Sequence, residues 1–302
     1  HKGMRKAGSC LAGLTGVIFI ALPGATCFNT SGRLIGNAGF KAPLVRGLRP
    51  SALSAAANRG MASGFGLSQM RLNAGNIKVE DILKSPKWPD EFPFKDADFR
   101  RQDESDDVVF YESPRLVTHI DDKAIAALTQ FYADNIAPGS DILDICSSWI
   151  SHFPKDFTET MGKRSGLGMN EFELSKNEQL TDYVVANLNK EPKFPYEDNS
   201  FDYVTCVVSV DYLNKPLQVF REVSRVLRPG GKFIISQSNR CFPTKAIQIW
   251  LQTNDLEHVF IIGSYFHYSG GFKPAEAIDI SPRVSAFLGG ADPMFIIQAE
   301  KK

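Results

Sequence analysis

The chain has 302 residues, 43% of them hydrophobic and 23% charged, with 34 Lys and Arg matched by 34 Asp and Glu. That length admits one large domain plus further segments, and the balance conceals a division: residues 1–79 hold ten basic residues and no acid, leaving 24 basic against 34 acidic from Glu80 onward. A body with ten excess negative charges and no basic stripe is poorly suited to nucleic acid, while five cysteines without a CxxC pair and five scattered histidines give no disulfide framework and no metal-ligand spacing, so no metal is expected.

In chain order, a targeting pattern comes first. His1–Gly3 read as translated sequence ahead of Met4, which is followed by Arg5, Lys6, the apolar run LAGLTGVIFIAL and the small residues PGATC. A basic start, a short apolar core and small residues read as a secretory signal over residues 1–27; the run is shorter than the ~20 residues a membrane span needs. Residues 28–79, opening on Phe28 and rich in Ser, Ala, Gly and Arg, read as a transit segment. Together they resemble the two-part leader of algae with complex plastids, which implies a plastid location; the absence of acids before Glu80, with the apolar run ending near Leu22, places the expected start of the mature chain between about residues 60 and 80. The same composition also fits a disordered basic arm that binds nucleic acid or an anionic surface. GFGLSQ, residues 64–69, follows no strand and is not taken as a glycine loop.

Residues 80–135 read as an N-terminal extension, and from 136 to 302 strand and helix signals alternate. DILDIC (141–146) is a strand, with a helix expected over 151–162; RSGLGM (164–169) is a second strand, followed by a helix over 171–180; YVVANL (183–188) is a third. FDYVTCVVSV (201–210) has the β-branched run of a strand buried on both faces. KPLQVFREVSRVL (215–227) places Leu217, Phe220, Val223 and Leu227 on one helical face, and RPGG turns the chain into the strand KFIISQS (232–238). Strands near 275–280 and at 293–301 complete the series. Such alternation predicts an α/β fold, a mostly parallel, doubly wound sheet with ligands at the carboxyl ends of its strands. The aromatic stretch SYFHY (264–268) reads most simply as core.

DILDIC, GLGMN, VVANLN, FPYEDNSFDYVTCVVSVDYL and REVSRVLRPGGKFIISQSNR, in this order, resemble a class I S-adenosylmethionine-dependent methyltransferase of the type 11 kind. The tail, CFPTKAIQIWLQTNDLEHVF through DPMFIIQAEK, resembles a plastid and bacterial branch of that superfamily, whose first loop carries the variant SSW-SHFP. The resemblance implies a seven-stranded Rossmann-like sheet with a reversed final strand, S-adenosylmethionine as cofactor, and a small-molecule acceptor. It implies that Asp144 is the acid near the end of the first strand and that Cys146, Ser148 and Ile150 occupy the three glycine positions, where close backbone approach and positive φ favour glycine. Asn170 falls where the family holds the ribose with an acid, with Glu171 as a neighbouring substitute, and Asn187 where an acid meets the adenine, beside Leu188.

Each of these residues also has a plainer reading. Trp149 and His152 either cap the cofactor or pack. Asp211 and Tyr212 lie where the family faces its acceptor, but Asp211 equally suits the N-cap of the helix from Lys215. Asn239, Arg240 and Cys241 either face substrate or begin the next helix. Two functions therefore stand: methyl transfer to a small molecule, with Asp211 catalytic, or a catalytically inactive binding or assembly factor that has kept the fold, favoured by the glycine-free loop. A nicotinamide dehydrogenase is a weaker third, since GxGxxG is missing.

Overall fold

The computed structural model describes residues 78–283 and 290–302. The signal, the transit segment up to residue 77 and GFGLSQ lie outside the described residues. The sheet has seven strands: β1 Ile142–Ser147, β2 Arg164–Gly168, β3 Asp182–Val185, β4 Phe201–Val207, β5 Leu227–Gln237, β6 Glu276–Asp279 and β7 Phe295–Glu300. Their order is β3-β2-β1-β4-β5-β7-β6. The first five are parallel, and β7 runs antiparallel to both β5 and β6. This is the mostly parallel sheet with a reversed final strand expected above.

Alternation along the strands sends side chains to two faces, and the central strands β1, β4, β5 and β7 bury apolar residues on both. Leu143, Ile145, Val204, Phe233, Ile235 and Ile297 enter a large core with Val219, Phe220 and Val223 of one helix and Val259, Ile262 and Tyr265 of another. Ile142, Ile234 and Ile296 face the other way, against Leu128, Phe131 and Tyr132. The helices are α1 Val79–Ile82, α2 Asp107–Tyr111, α3 Asp122–Asn135, α4 Phe157–Thr160, α5 Glu171–Ser175, α6 Pro216–Val226, α7 Gln248–Leu251 and α8 Asp255–Ser269. Val79, Ile82 and Leu83 enter the large core, so the chain ahead of residue 136 packs into the same body as the strands. Ser264, Tyr265 and Phe266 of SYFHY are buried in α8, as a core segment should be, and Trp88 stacks on His267 at 5.2 Å.

Several elements are shorter than the pattern predicts. The helix expected over 151–162 is reduced to α4, because His152 adopts φ +58 and Pro154 disfavours helical geometry at Phe153. The helix expected over 171–180 stops at Ser175, where Asn177 turns aside to donate to the Ser148 carbonyl and the Ser151 hydroxyl, both at 2.9 Å. The third strand ends at Val185 rather than Leu188, and the fourth at Val207 rather than Val210, with φ +39 at Val208. The fifth begins at Leu227, ahead of RPGG, which it includes; Gly230 has φ +81, and a β-carbon on Gly231 would lie 2.7 Å from the Asp202 carbonyl oxygen. Among the described residues no helix is long and apolar enough to cross a membrane.

Candidate active site

The site is built at the carboxyl ends of β1, β2, β3 and β4, and Asp144 organises its first wall. This carboxylate is 2% exposed and accepts three hydroxyl hydrogens: from Ser147 at 2.6 Å and Ser151 at 2.7 Å on Oδ2, and from Thr205 at 2.8 Å on Oδ1. Burial pushes its pKa from 3.8 up to about 6, against the lowering effect of those three bonds. Asp144 therefore holds the loop that follows β1, and both of its oxygens are occupied in doing so. Cys146, at the first glycine position, adopts φ +54 where β1 slips register against β2, the backbone state for which glycine is usual. Its thiol shares a hydrogen bond with that of Cys206, and that bond together with burial pushes the Cys206 pKa up. The close approach that a glycine in this loop would supply comes from the neighbouring strand: a β-carbon on Gly168 would overlap the Ser147 carbonyl oxygen.

Beyond Ser147 the loop is tied to α5 and to the chain ahead of α3. The Ser148 hydroxyl donates to Glu173 Oε2 at 2.6 Å, and Trp149 Nε1 donates to the Val117 carbonyl at 3.0 Å. Ile150, at the third glycine position, is half-buried. His152 is buried and held neutral, its pKa lowered to about 4 by burial, and its Nδ1 has no partner.

At the end of β2, Asn170 is the N-cap of α5: its Oδ1 accepts from the Glu173 amide at 3.0 Å. Its Nδ2 donates to the carbonyls of Tyr111 at 2.7 Å and Glu112 at 3.3 Å. Glu171 is exposed in the first turn of the same helix. Past β3, the Asn187 side chain accepts from the amides of Asn189 and Lys190 and donates to Asp106 at 3.5 Å, while Leu188 is buried in the large core.

Asp211 sits in a 3-10 turn, Val210–Tyr212, just past β4. It is 3% exposed, its Oδ2 has no partner, and burial raises its pKa well above that of an ordinary carboxylate. The N-cap of α6 is Lys215, with no side-chain capping bond, so Asp211 does not serve as that cap. The Tyr212 hydroxyl accepts from the Phe242 amide at 2.8 Å, with Phe242 in the loop after β5. Asn239 is exposed, and Arg240 is committed to Asp292, its Nε donating at 2.9 Å. No helix begins at 239–241, since α7 starts at Gln248.

The structure thus brings Asp144, Cys146, Ser148, Trp149, Asn170, Asn187 and Asp211 around one sheet edge and leaves Glu171 and Asn239 facing outward. What the sequence did not reveal is that the edge is crossed by the chain's own residues 106–117. Tyr111 lies within electrostatic reach of Cys146 and Asp211, which add to the burial that raises its phenol pKa. Arg115 donates its amide to Glu173 Oε1 at 2.6 Å, so Glu173 joins this segment to Ser148. No periodicity marks DESDDVVFYESPRLV as part of a site; its lack of an apolar face was the available hint.

Residues 165–235 match the family model described as a methyltransferase domain, a stretch running from β2 into β5. The chain is 31% identical over 114 residues to a demethylmenaquinone methyltransferase of Bacillus mycoides, covering 35% of this chain and 48% of that protein. It is 33% identical over 112 residues to the sterol 24-C-methyltransferase erg6 of Schizosaccharomyces pombe, covering 34% of this chain and 29% of that one. The chain thus spans about half the length, or less, of these relatives. A solved S-adenosylmethionine-dependent methyltransferase from Aquifex aeolicus superposes with a TM-score of 0.43 at 15% identity, covering 65% of this chain and 97% of its own. The sequence match over residues 165–235 and the strand order agree, and together they support the class I S-adenosylmethionine-dependent methyltransferase superfamily.

Proposed function

We propose that this protein transfers the methyl group of S-adenosylmethionine to a small-molecule acceptor, and that it works in the plastid. The observation that carries the reading is the buried Asp211 carboxyl, with one oxygen unpartnered, at the strand end next to the β1 loop. A buried carboxylate oxygen without a partner is costly unless a ligand or a reaction uses it. The names of the two relatives, one for demethylmenaquinone and one for a sterol, support a small organic acceptor. The negative body argues against nucleic acid.

The residues at the strand ends fit the cofactor's parts. The backbone of Cys146, already at positive φ, and the loop through Ser148 and Trp149 suit close approach of the amino-acid portion. The Asn170 amide suits the ribose hydroxyls, with neutral bonds where the family uses a carboxylate and with correspondingly weaker binding. Asn187 and Leu188 suit the adenine. The cofactor, when bound, supplies an electrophilic methyl group on a sulfonium. The protein's part is to hold the acceptor in line and, for a weakly acidic nucleophile, to take its proton. Asp211 suits proton removal, since burial makes it a stronger base than a solvated carboxylate, and Oδ2 is the atom that would receive the proton.

One observation favours the second reading, a binding or assembly factor without catalysis. Both amide hydrogens of Asn170 are already spent on the chain's own carbonyls. Mass spectrometry of the natively purified protein decides between the two. Co-purified S-adenosylmethionine or S-adenosylhomocysteine, followed by label transfer from methyl-labelled cofactor into a plastid metabolite extract, is expected for the enzyme. No bound cofactor and no transfer would leave the binding factor. For location, sequencing of the native N terminus should find it between about residues 60 and 80; a start at Phe28 or earlier would reject the two-part leader.

A further inference from the structure

We propose that residues 104–119 form a gate over the cofactor site, and that the closed form seen here must open before cofactor can enter. The proposal rests on the cofactor reading above and adds to it a competitor supplied by the chain itself.

The gate has a fixed base and an exchangeable tip. At the base, Lys245, with a side chain 1% exposed, pairs with Asp103 at 3.1 Å and Asp107 at 3.3 Å and donates to the Ser105 carbonyl at 2.8 Å. Arg101 pairs with the same Asp107 at 2.7 Å, both side chains 5% exposed. Breaking up such a buried cluster leaves charges uncompensated, so the base is expected to stay in place. The tip is held differently. It reaches the site through the Tyr111 and Glu112 carbonyls on Asn170, the Arg115 amide on Glu173 and the Val117 carbonyl on Trp149. Each of these partners belongs to the strand-end set that would meet the cofactor or supports it. A ribose hydroxyl cannot use the Asn170 amide while both of its hydrogens point at Tyr111 and Glu112.

Energetics point the same way. Val108, Val109, Leu116 and Val117 are exposed by 46–65% in the closed position, so beyond the rings of Phe110 and Tyr111 docking the tip buries little of its own apolar surface. A segment held by a few polar bonds and little apolar burial lies at the low end of local stability. Its bonds are of the kind a nucleoside can replace one for one. Phe110 and Phe242 meet edge to face at 5.4 Å, and the Arg115 guanidinium lies 4.4 Å from the Phe110 ring centroid, which sets the closed resting place of the tip.

The decisive experiment cuts the gate. A site-specific protease sequence is inserted between Ser113 and Pro114, both exposed, and S-adenosylhomocysteine binding is measured by calorimetry and stopped flow before and after cleavage. Because the apparent dissociation constant scales inversely with the open fraction, a gate that is mostly closed predicts binding tighter by about tenfold or more, with faster association, after cleavage. Equal binding by cut and uncut protein overturns the gate and leaves the cofactor reading intact. Weaker binding after cleavage overturns it too, making the segment a wall of the site. Absence of binding in both forms removes the cofactor reading and the gate with it. A second measurement needs no cleavage: in the uncut native sequence, S-adenosylhomocysteine should accelerate hydrogen exchange at the Arg115 amide, and slower exchange there would overturn the proposal even if the cut protein fails to fold.

Discussion

Asp144→Asn tests the idea that one buried carboxylate organises the β1 loop at a cost in stability. In the folded chain Asp144 keeps its proton up to about pH 6, against 3.8 for the ordinary carboxyl. The folded state therefore binds this proton more tightly than the unfolded chain does. Its contribution is most favourable at low pH, declines as pH rises through 3.8 and beyond, and levels off above 6. The full penalty at neutral pH is roughly 2.2 pKa units at about 1.4 kcal/mol each, or ~3 kcal/mol. At pH 5 roughly half of it remains. Asparagine keeps the shape and an oxygen for the Thr205 hydroxyl but cannot ionise, so it carries no such penalty; it loses the acceptor that Ser147 and Ser151 share, at about 1 kcal/mol per bond. The stability difference between wild type and Asp144→Asn should then shift by about 1.4 kcal/mol between pH 7.5 and pH 5, in favour of wild type at the lower pH. Urea denaturation of both proteins at the two pH values measures it. A difference that stays constant to within about 0.5 kcal/mol would refute the argument, because a solvated or permanently ionised Asp144 shows no such window.

Three further outcomes are expected. Asn170→Asp sets a carboxylate against the Tyr111 and Glu112 carbonyls while keeping the α5 cap; hydrogen exchange across residues 107–118 should rise by about tenfold and S-adenosylhomocysteine should bind more tightly, and unchanged exchange would count against the contact's importance. Asp211→Asn should not lower the melting temperature, since burial raises the Asp211 pKa and the amide removes that cost at neutral pH, should leave cofactor affinity nearly unchanged, and should cut turnover by ~10²-fold or more once an acceptor is found by metabolite profiling of a knockout; an unstable but fully active variant would remove Asp211 from the site. His152 and His258 are both held neutral by burial, with pKa values lowered from 6.5 to about 4, so the unfolded chain takes up protons that the folded chain refuses. Their part of the stability is intact above about pH 6.5 and falls on acidification, by about 2 kcal/mol per histidine at pH 5, and His258→Gln should remove its share in urea denaturation; His258 Nε2 donates to the Trp250 carbonyl at 2.9 Å, so a loss undiminished in that variant would point elsewhere.

Local sequence determined the sheet. The β-branched runs of FDYVTCVVSV and KFIISQS suit strands covered on both faces, and RPGG follows directly on the end of α6, so strand identity and the α/β class follow from residue chemistry. Asp144, Asn170 and Asp211 were legible as candidate positions because Asp144 lies in the first strand and the other two lie shortly past the second and fourth, and a strand's end marks the edge of the sheet. What those side chains do was decided by tertiary structure. The three hydroxyls on Asp144 come from positions 147, 151 and 205, and no spacing rule joins Thr205 to the first loop; the parallel pairing of β1 with β4 does. Cys146 can take a glycine's place because the bare Gly168 on the adjacent strand leaves room for Ser147. Asp211 read equally well as a helix cap until the start of α6 showed Lys215 in that role. The segment carrying Tyr111 and Arg115 has no period of its own, since most of its bonds are backbone groups meeting side chains 30 to 60 positions away. Backbone carbonyls and amides are the same at every residue, so where they bond is written only in the folded chain.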